Sequence, residues 1–129
     1  MRTVDFELNN QTWHLCMNGA ALFDLYERFG DGDLLSHITG GGKEAYENTC
    51  TFLEKLAEQG ELVRRYQGYD TGPLPTRHMF RTMLSPKDFI RAKDAVAEAI
   101  VIAFGMEEKR GNGEVDLGLQ EFEKKTETG

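Results

Sequence analysis

The first apolar positions of the chain alternate with polar ones, which is the pattern of a half-buried β-strand. Asn9 and Asn10 then tolerate the positive φ angles that a two-residue turn demands, so residues 3–17 are predicted to form a hairpin. The predicted cross-strand pairs are Val4 with Leu15, Phe6 with Trp13 and Leu8 with Gln11. One face then needs burial, and the opposite face holds Thr3, Asp5, Glu7, Thr12, His14 and Cys16.

Helical spacing replaces alternation after the hairpin. The first helix is predicted from Gly19 to Phe29, with Asn18 as its N-cap and Gly30 as its stop. Residues 31–38 are predicted to form one short helix. The apolar face of the first helix consists of Ala21, Leu22, Leu25, Tyr26 and Phe29.

A longer apolar stripe predicts a further helix over residues 43–59, which Gly60 is expected to end. The stripe consists of Tyr46, Cys50, Leu53 and either Leu56 or Ala57, with Phe52 beside it. The glycines and prolines of residues 61–84 predict a loop in the middle of that segment.

The last helix has the clearest start signal. Ser85 caps it, Pro86 occupies the first helical position, and Asp88 completes a capping-box variant. The helix is predicted to end at Phe104, before Gly105. Its inner face consists of Phe89, Ala92, Val96, Ala99, Ile100 and Ala103, and Ile90, Val101, Ile102 and Phe104 widen the apolar surface. A helix this apolar is either buried on most sides or in contact with a partner.

These elements predict a mainly α protein of the α+β class, in which an N-terminal β-hairpin packs on a small bundle of three to four helices. Residues 1–105 are expected to form a single domain, and residues 106–129 a flexible acidic tail. The tail is either a solvated segment or one that orders on a partner. The apolar residues among its acids are Val115, Leu117, Leu119 and Phe122.

Composition and charge narrow the class of protein further. The chain has 129 residues, and 22 acidic against 15 basic residues give it a net charge of -7. Such a surface disfavours nucleic acids and anionic membranes as partners. The apolar run at residues 99–104 is too short to span a bilayer, and no apolar leader precedes the hairpin. We therefore expect a cytosolic protein in which Cys16 and Cys50 stay reduced.

Motifs that carry chemistry are weak in this sequence. His14 and Cys16 would supply only half of a metal site, and a polar-face histidine beside a small packed cysteine is the better explanation. Cys50 lies on the apolar stripe of a helix, which favours packing over nucleophilic catalysis. We predict no catalytic residue, no metal and no cofactor.

One stretch, within residues 61–84, is locally basic and mixes cations with aromatic side chains. Its members are Arg64, Arg65, Tyr66, Tyr69, Arg77, His78, Phe80 and Arg81. Single-stranded nucleic-acid binders use such a mixture, so a small nucleic-acid-binding regulator that uses residues 64–81 is an alternative function. The net charge of the chain favours instead a structural role or the docking of an acidic partner, including the tail of this chain.

Three segments carry a resemblance to a known family. The hairpin strands read VDFEL and TWHLC, the first helix reads ALFDLYERFG, and LSPKDF leads into an alanine-rich helix before an acidic tail. This order of elements, over residues 3–105, resembles the tail assembly chaperones of long-tailed bacteriophages and prophages. The resemblance implies a non-enzymatic, mainly helical, self-associating protein that binds the tape-measure protein and keeps it soluble during tail assembly.

The resemblance also implies where the protein acts and with which partners. It would work in the cytoplasm of the host bacterium and be absent from the mature virion. A frameshifted extension would recruit the major tail tube protein. Binding of nucleic acid or of a membrane is not expected, for the reason of charge given above. Another phage structural component, such as a head–tail connector, is a further alternative.

Apolar helix faces supply the candidate partner-binding residues, since such faces bind amphipathic helices. Two methionines are included because their flexible side chains form adaptable surfaces. For each candidate, the alternative is ordinary core packing. The candidates are Leu22, Leu25, Tyr26, Phe29, Met79, Met83, Ile100 and Phe104.

Overall fold

A computed structural model describes residues 2–106, and the predicted tail lies outside them from residue 107 onward. The elements are β1 (Val4–Leu8), β2 (Gln11–Leu15), α1 (Gly19–Phe29), a 3₁₀ segment (Leu34–His37), α2 (Lys43–Tyr66), α3 (Arg77–Met83) and α4 (Asp88–Ala103). The predicted class, a two-stranded hairpin followed by a mainly helical chain, is confirmed. Contacts divide the chain into two units, Met1–Ala99 and Ile100–Gly129.

The hairpin has the predicted antiparallel register. Asn9 and Asn10 adopt φ angles of 51° and 66°, which a two-residue turn of the primed type requires. The apolar residues predicted for the inner face are all buried: Val4, Phe6, Leu8, Trp13 and Leu15. A slip of one residue would bury Asp5 and Glu7 instead, so this burial fixes the pairing.

Helix α2 does not end at Gly60 as predicted but continues to Tyr66. Gly60 is buried against β2, and a Cβ at this position would lie 1.5 Å from the carbonyl oxygen of His14. The glycine therefore lets the strand backbone approach the helix more closely than any side chain would allow. The prediction that Cys16 lies on the polar face is wrong, because the side chain is fully buried. Strand β2 ends at Leu15, and the Cys16 N–H donates a hydrogen bond to the Leu56 carbonyl oxygen of α2 at 3.0 Å.

Helix α1 has the predicted bounds and both predicted caps. The Asn18 side-chain oxygen accepts a hydrogen bond from the Ala21 N–H at 3.0 Å. At the other end, the Gly30 N–H donates to the Tyr26 carbonyl oxygen at 2.7 Å. The predicted short helix after α1 is present as the four-residue 3₁₀ segment.

Helix α3 lies in the segment for which the sequence predicts only a central loop. Thr76 caps it by accepting a hydrogen bond from the Met79 N–H at 3.0 Å. Phe80 is fully buried, and its ring meets that of Trp13 edge-on with 5.6 Å between centroids. Packing against α2 and against Trp13 of the hairpin therefore holds a helix that is too short to be stable alone.

Helix α4 begins at Asp88, two residues after the predicted start at Pro86. The Asp88 carboxylate accepts hydrogen bonds from the Ser85 N–H at 2.9 Å and from the Ser85 hydroxyl at 2.8 Å. This is the reciprocal half of the predicted capping box. The contact fixes the direction in which the chain enters the helix.

Side-chain contacts attach residues 88–99 of α4 to the rest of the first unit. The Phe89 ring stacks on the Tyr46 ring with 4.6 Å between centroids. The Arg91 guanidinium donates to the Glu7 carbonyl oxygen at 3.1 Å. The helix is thus connected both to the start of α2 and to the hairpin.

The described part of the second unit, residues 100–106, contains the end of α4. Ile100 is 3% exposed and Phe104 is 49% exposed. The helix ends at Ala103, one residue before the predicted end, and Gly105 has a φ angle of 76°. The Gly105 N–H donates to the Ile102 carbonyl oxygen at 3.0 Å, as in a glycine-terminated helix.

Candidate functional site

An apolar groove of about 410 Å³ lies between the 3₁₀ segment and α4, within the first unit. Its apolar lining consists of Leu35, Ile38, Ile90 and Ala97. Ile38 is 3% exposed, whereas Ile90 is 66% exposed. The groove therefore leaves the Ile90 side chain open to solvent next to the buried Ile38 side chain.

Lys93 and Asp94 supply the charged groups of the groove. The Lys93 ammonium donates to the Gly40 carbonyl oxygen and lies 5.2 Å from the centre of the Tyr46 ring. These contacts connect α4 to the chain that follows the 3₁₀ segment. Asp94 is exposed, so its carboxylate is accessible to a cation on a partner.

A second cavity of about 410 Å³, which we call the basic cleft, is lined by polar side chains. It lies between the end of α1, the middle of α2 and the start of α3. Its charged lining consists of Arg28, Glu54, Lys55, Arg77 and Arg81, and His78 lies beside them. The structure thus gathers cations from three helices that are distant in sequence.

The predicted partner-binding residues of α1 share one helix face, but they differ in exposure. Leu25 is fully buried, and Leu22, Tyr26 and Phe29 are half-buried. The Phe29 ring stacks on that of Phe52 with 5.2 Å between centroids. This face packs on α2, so in the present conformation these side chains belong mainly to the core.

The other predicted residues lie elsewhere. Met79 and Met83 are on α3, and Met83 is 43% exposed. The Met83 sulfur accepts a weak hydrogen bond from the Asn9 side chain at 3.8 Å. Ile100 and Phe104 belong to the second unit. The structure therefore does not gather the predicted residues into one surface within either unit.

Sequence reasoning missed the groove, although it placed Ile90 on the widened apolar surface of the last helix. Leu35 and Ile38 escaped notice because a short segment carries too few apolar positions to define a face.

The basic stretch of the sequence is divided in the structure. Arg64 places its guanidinium 4.4 Å from the centre of the Tyr69 ring, at the end of α2. Arg65 donates to the Thr71 hydroxyl at 2.6 Å and to the Gly72 carbonyl oxygen at 2.7 Å. These two arginines stabilise the turn after α2, whereas the later cations of the stretch line the basic cleft.

The two thiols are packed in the core, and the histidine of the predicted half-site is paired with a carboxylate. Burial raises the pKa of the Cys50 thiol to about 11, with a further increase from the Glu47 carboxylate, and burial also raises the pKa of Cys16. Both thiols are therefore protonated at neutral pH and are poor nucleophiles. His14 Nδ1 lies 2.9 Å from the Asp5 carboxylate. Within residues 2–106, no three His, Cys, Asp or Glu side chains are grouped so as to hold a metal ion.

Among the described helices, none is both long enough and apolar enough to cross a membrane. No family model, curated protein or solved structure matches the chain.

Proposed function

We propose that this chain is a non-enzymatic tail assembly chaperone of a long-tailed bacteriophage or prophage, which binds helical segments of the tape-measure protein. The observation that carries the proposal is the groove beside Ile90. The groove has a volume of about 410 Å³, and most of its exposed lining surface is apolar. The resemblance of the hairpin and helix segments to that family supplies the identity of the client.

The groove fits an amphipathic helix that presents aliphatic side chains at helical spacing. Burying an aliphatic side chain contributes about 1.5–3 kcal/mol, and Ile90 still has most of that contribution to gain. A lysine or arginine next to the apolar ridge of the client would pair with Asp94. The expected client is therefore a helix with an apolar ridge and a flanking cation.

Client solubility tests the proposal directly. The full chain is co-expressed with the long helical protein encoded beside it, and the soluble fraction of that client is measured. Ile90→Glu is expected to reduce the soluble fraction strongly, because it places a charge in the groove. Phe23→Glu is the matched control, since Phe23 is 69% and Ile90 66% exposed and Phe23 does not line the groove. Both variants should stay within about 0.5 kcal/mol of the parent in stability.

Reading the surrounding DNA tests the identity of the client. A very long reading frame next to this gene that encodes a helical protein would support the proposal. A slippery heptamer near the stop codon of this chain's own gene would support the frameshifted extension that recruits the tail tube protein. If no such reading frame is present, the tape-measure assignment fails. Detection of the protein in purified virions would favour a head–tail connector instead.

The second candidate, a small nucleic-acid-binding regulator, is favoured by one observation. Tyr66 is 91% exposed and Tyr69 is 54% exposed, with Arg64 and Arg65 beside them. Exposed tyrosines flanked by arginines can stack on unpaired bases. Tight binding to a single-stranded oligonucleotide that weakens steeply with added salt would support this candidate against the chaperone.

A further inference from the structure

Among the described residues, two arginines of the basic cleft have no acidic partner. Over residues 2–106, neither Arg28 nor Arg77 has a carboxylate within 4.0 Å, the limit for an ion pair. Arg28 is exposed at the end of α1, and Arg77 is half-buried at the start of α3. A guanidinium binds a carboxylate through two parallel hydrogen bonds, so both are equipped to bind an anion.

The other cations of the cleft are only loosely paired. Lys55 lies 3.8 Å from the Asp24 carboxylate, and Arg81 lies 3.6 Å from the Glu47 carboxylate. A charge-assisted hydrogen bond is typically about 2.7–2.9 Å long, so both pairs are too long to saturate their donors. An incoming anion would therefore meet additional donors besides the two arginines above.

We propose that the basic cleft is a second binding site, which takes acidic side chains of a protein partner, with Arg28 and Arg77 as the main carboxylate-binding residues. This inference goes beyond the proposed function, because the cleft shares no residue with the groove. It also makes no use of the phage assignment. Either proposal can therefore be refuted while the other one stands.

The charges around the cleft favour carboxylates on a peptide over the backbone of a nucleic acid. Glu54 lies among the lining cations, and Asp24 and Glu47 lie next to Lys55 and Arg81. A strand with a phosphate on every nucleotide would have to pass these three carboxylates, and the net charge of -7 would repel it further. On a helix, carboxylates three or four positions apart share one face, and the positions that meet the carboxylates of the cleft can be uncharged.

Fluorescence anisotropy of a labelled helical peptide with glutamates along one face, titrated with the full chain, tests the proposal. The glutamate peptide is expected to bind more tightly than the same peptide with glutamines, and added salt should weaken binding. Arg28→Gln and Arg77→Gln should each weaken it about two- to fivefold, the effect of a partly exposed ion pair. Arg64→Gln removes the same charge from the same basic stretch but outside the cleft, and should leave the affinity unchanged.

Several outcomes would overturn the proposal. These are equal weakening by Arg64→Gln, equal binding of the glutamine peptide, no binding of either peptide, and preferred binding of inorganic phosphate or of a single-stranded DNA oligonucleotide. Circular dichroism melts check that each variant is folded. If Arg77→Gln unfolds the chain, Arg81→Gln is measured in its place. Arg28→Gln is expected to stay folded, because the Arg28 side chain is exposed and does not enter the core.

Discussion

The hairpin and residues 88–99 of α4 are attached to the rest of the first unit in different ways. The hairpin meets α2 backbone to backbone, with the His14 carbonyl against Gly60 and a hydrogen bond from Cys16 to Leu56. Residues 88–99 of α4 are attached through side chains, such as the ring of Phe89. The close backbone approach leaves no room for a side chain at residue 60, whereas the groove lies on another side of α4, next to the 3₁₀ segment. We therefore expect changes at the hairpin contact to cost the most stability, and we propose the groove beside α4 as the binding site.

Gly60→Ala tests the backbone contact and should have the largest effect. The added Cβ would lie 1.5 Å from the His14 carbonyl oxygen and 2.7 Å from its carbon, so β2 has to move away. We expect the free energy of unfolding in urea to fall by about 3 kcal/mol or more, at or above the upper end of ordinary overpacking. Gly19→Ala is the matched control, because no atom lies within 4 Å of a Cβ there. A Gly60→Ala variant as stable as the control would remove the distinction between the two attachments.

A double-mutant cycle tests the side-chain attachment of α4. Phe89→Leu and Tyr46→Leu are made singly and together, and unfolding in urea is measured for all four proteins. The stacked rings predict a coupling free energy of about 0.5–1.5 kcal/mol. Phe23→Leu, at an exposed ring, should change stability by less than about 0.5 kcal/mol. Purely additive effects would mean that the ring stack does not hold α4.

The start of α4 should show a smaller effect that depends on pH. Hydrogen bonds from the Ser85 N–H and hydroxyl, with a contribution from Arg91, lower the pKa of Asp88 from 3.8 to about 2. A lowered pKa means that the stabilisation is complete above pH 3.8 and is lost as the pH falls towards 2.

Asp88→Asn measures this contribution. The urea midpoint of the variant should be below that of the parent protein at pH 7, and the two midpoints should converge near pH 2. Asp70→Asn is the control, because Asp70 lies in the exposed turn after α2. A difference between Asp88→Asn and the parent that is the same at both pH values would contradict the pairing.

Local signals predicted the elements whose determinants lie close together in sequence. The register of the hairpin follows from alternation and Asn9-Asn10, and the caps of α1 follow from Asn18 and Gly30. In contrast, Gly60 reads locally as a helix stop, and only β2, far away in the chain, shows that it provides close approach. Tertiary packing outweighs helix propensity at such a position.

The candidate sites were less predictable than the fold, because both arise between elements. The groove needs Leu35 and Ile38 on one side and Ile90 on the other. The basic cleft joins Arg28 of α1 to Arg77 of α3, while the sequence grouped Arg77 with Arg64 instead. Periodicity describes one element at a time, so it cannot show which residues of separate elements meet.

The reactivity of the two buried thiols reports local unfolding of the chain. Cys16 lies where the hairpin meets α2, and Cys50 is 1% exposed on α2 near the cations of α3. A thiol-specific reagent reacts with either one only after local unfolding has exposed it. The labelling rate of each cysteine, followed by mass spectrometry, would therefore time the detachment of two different parts of the structure without any engineered probe.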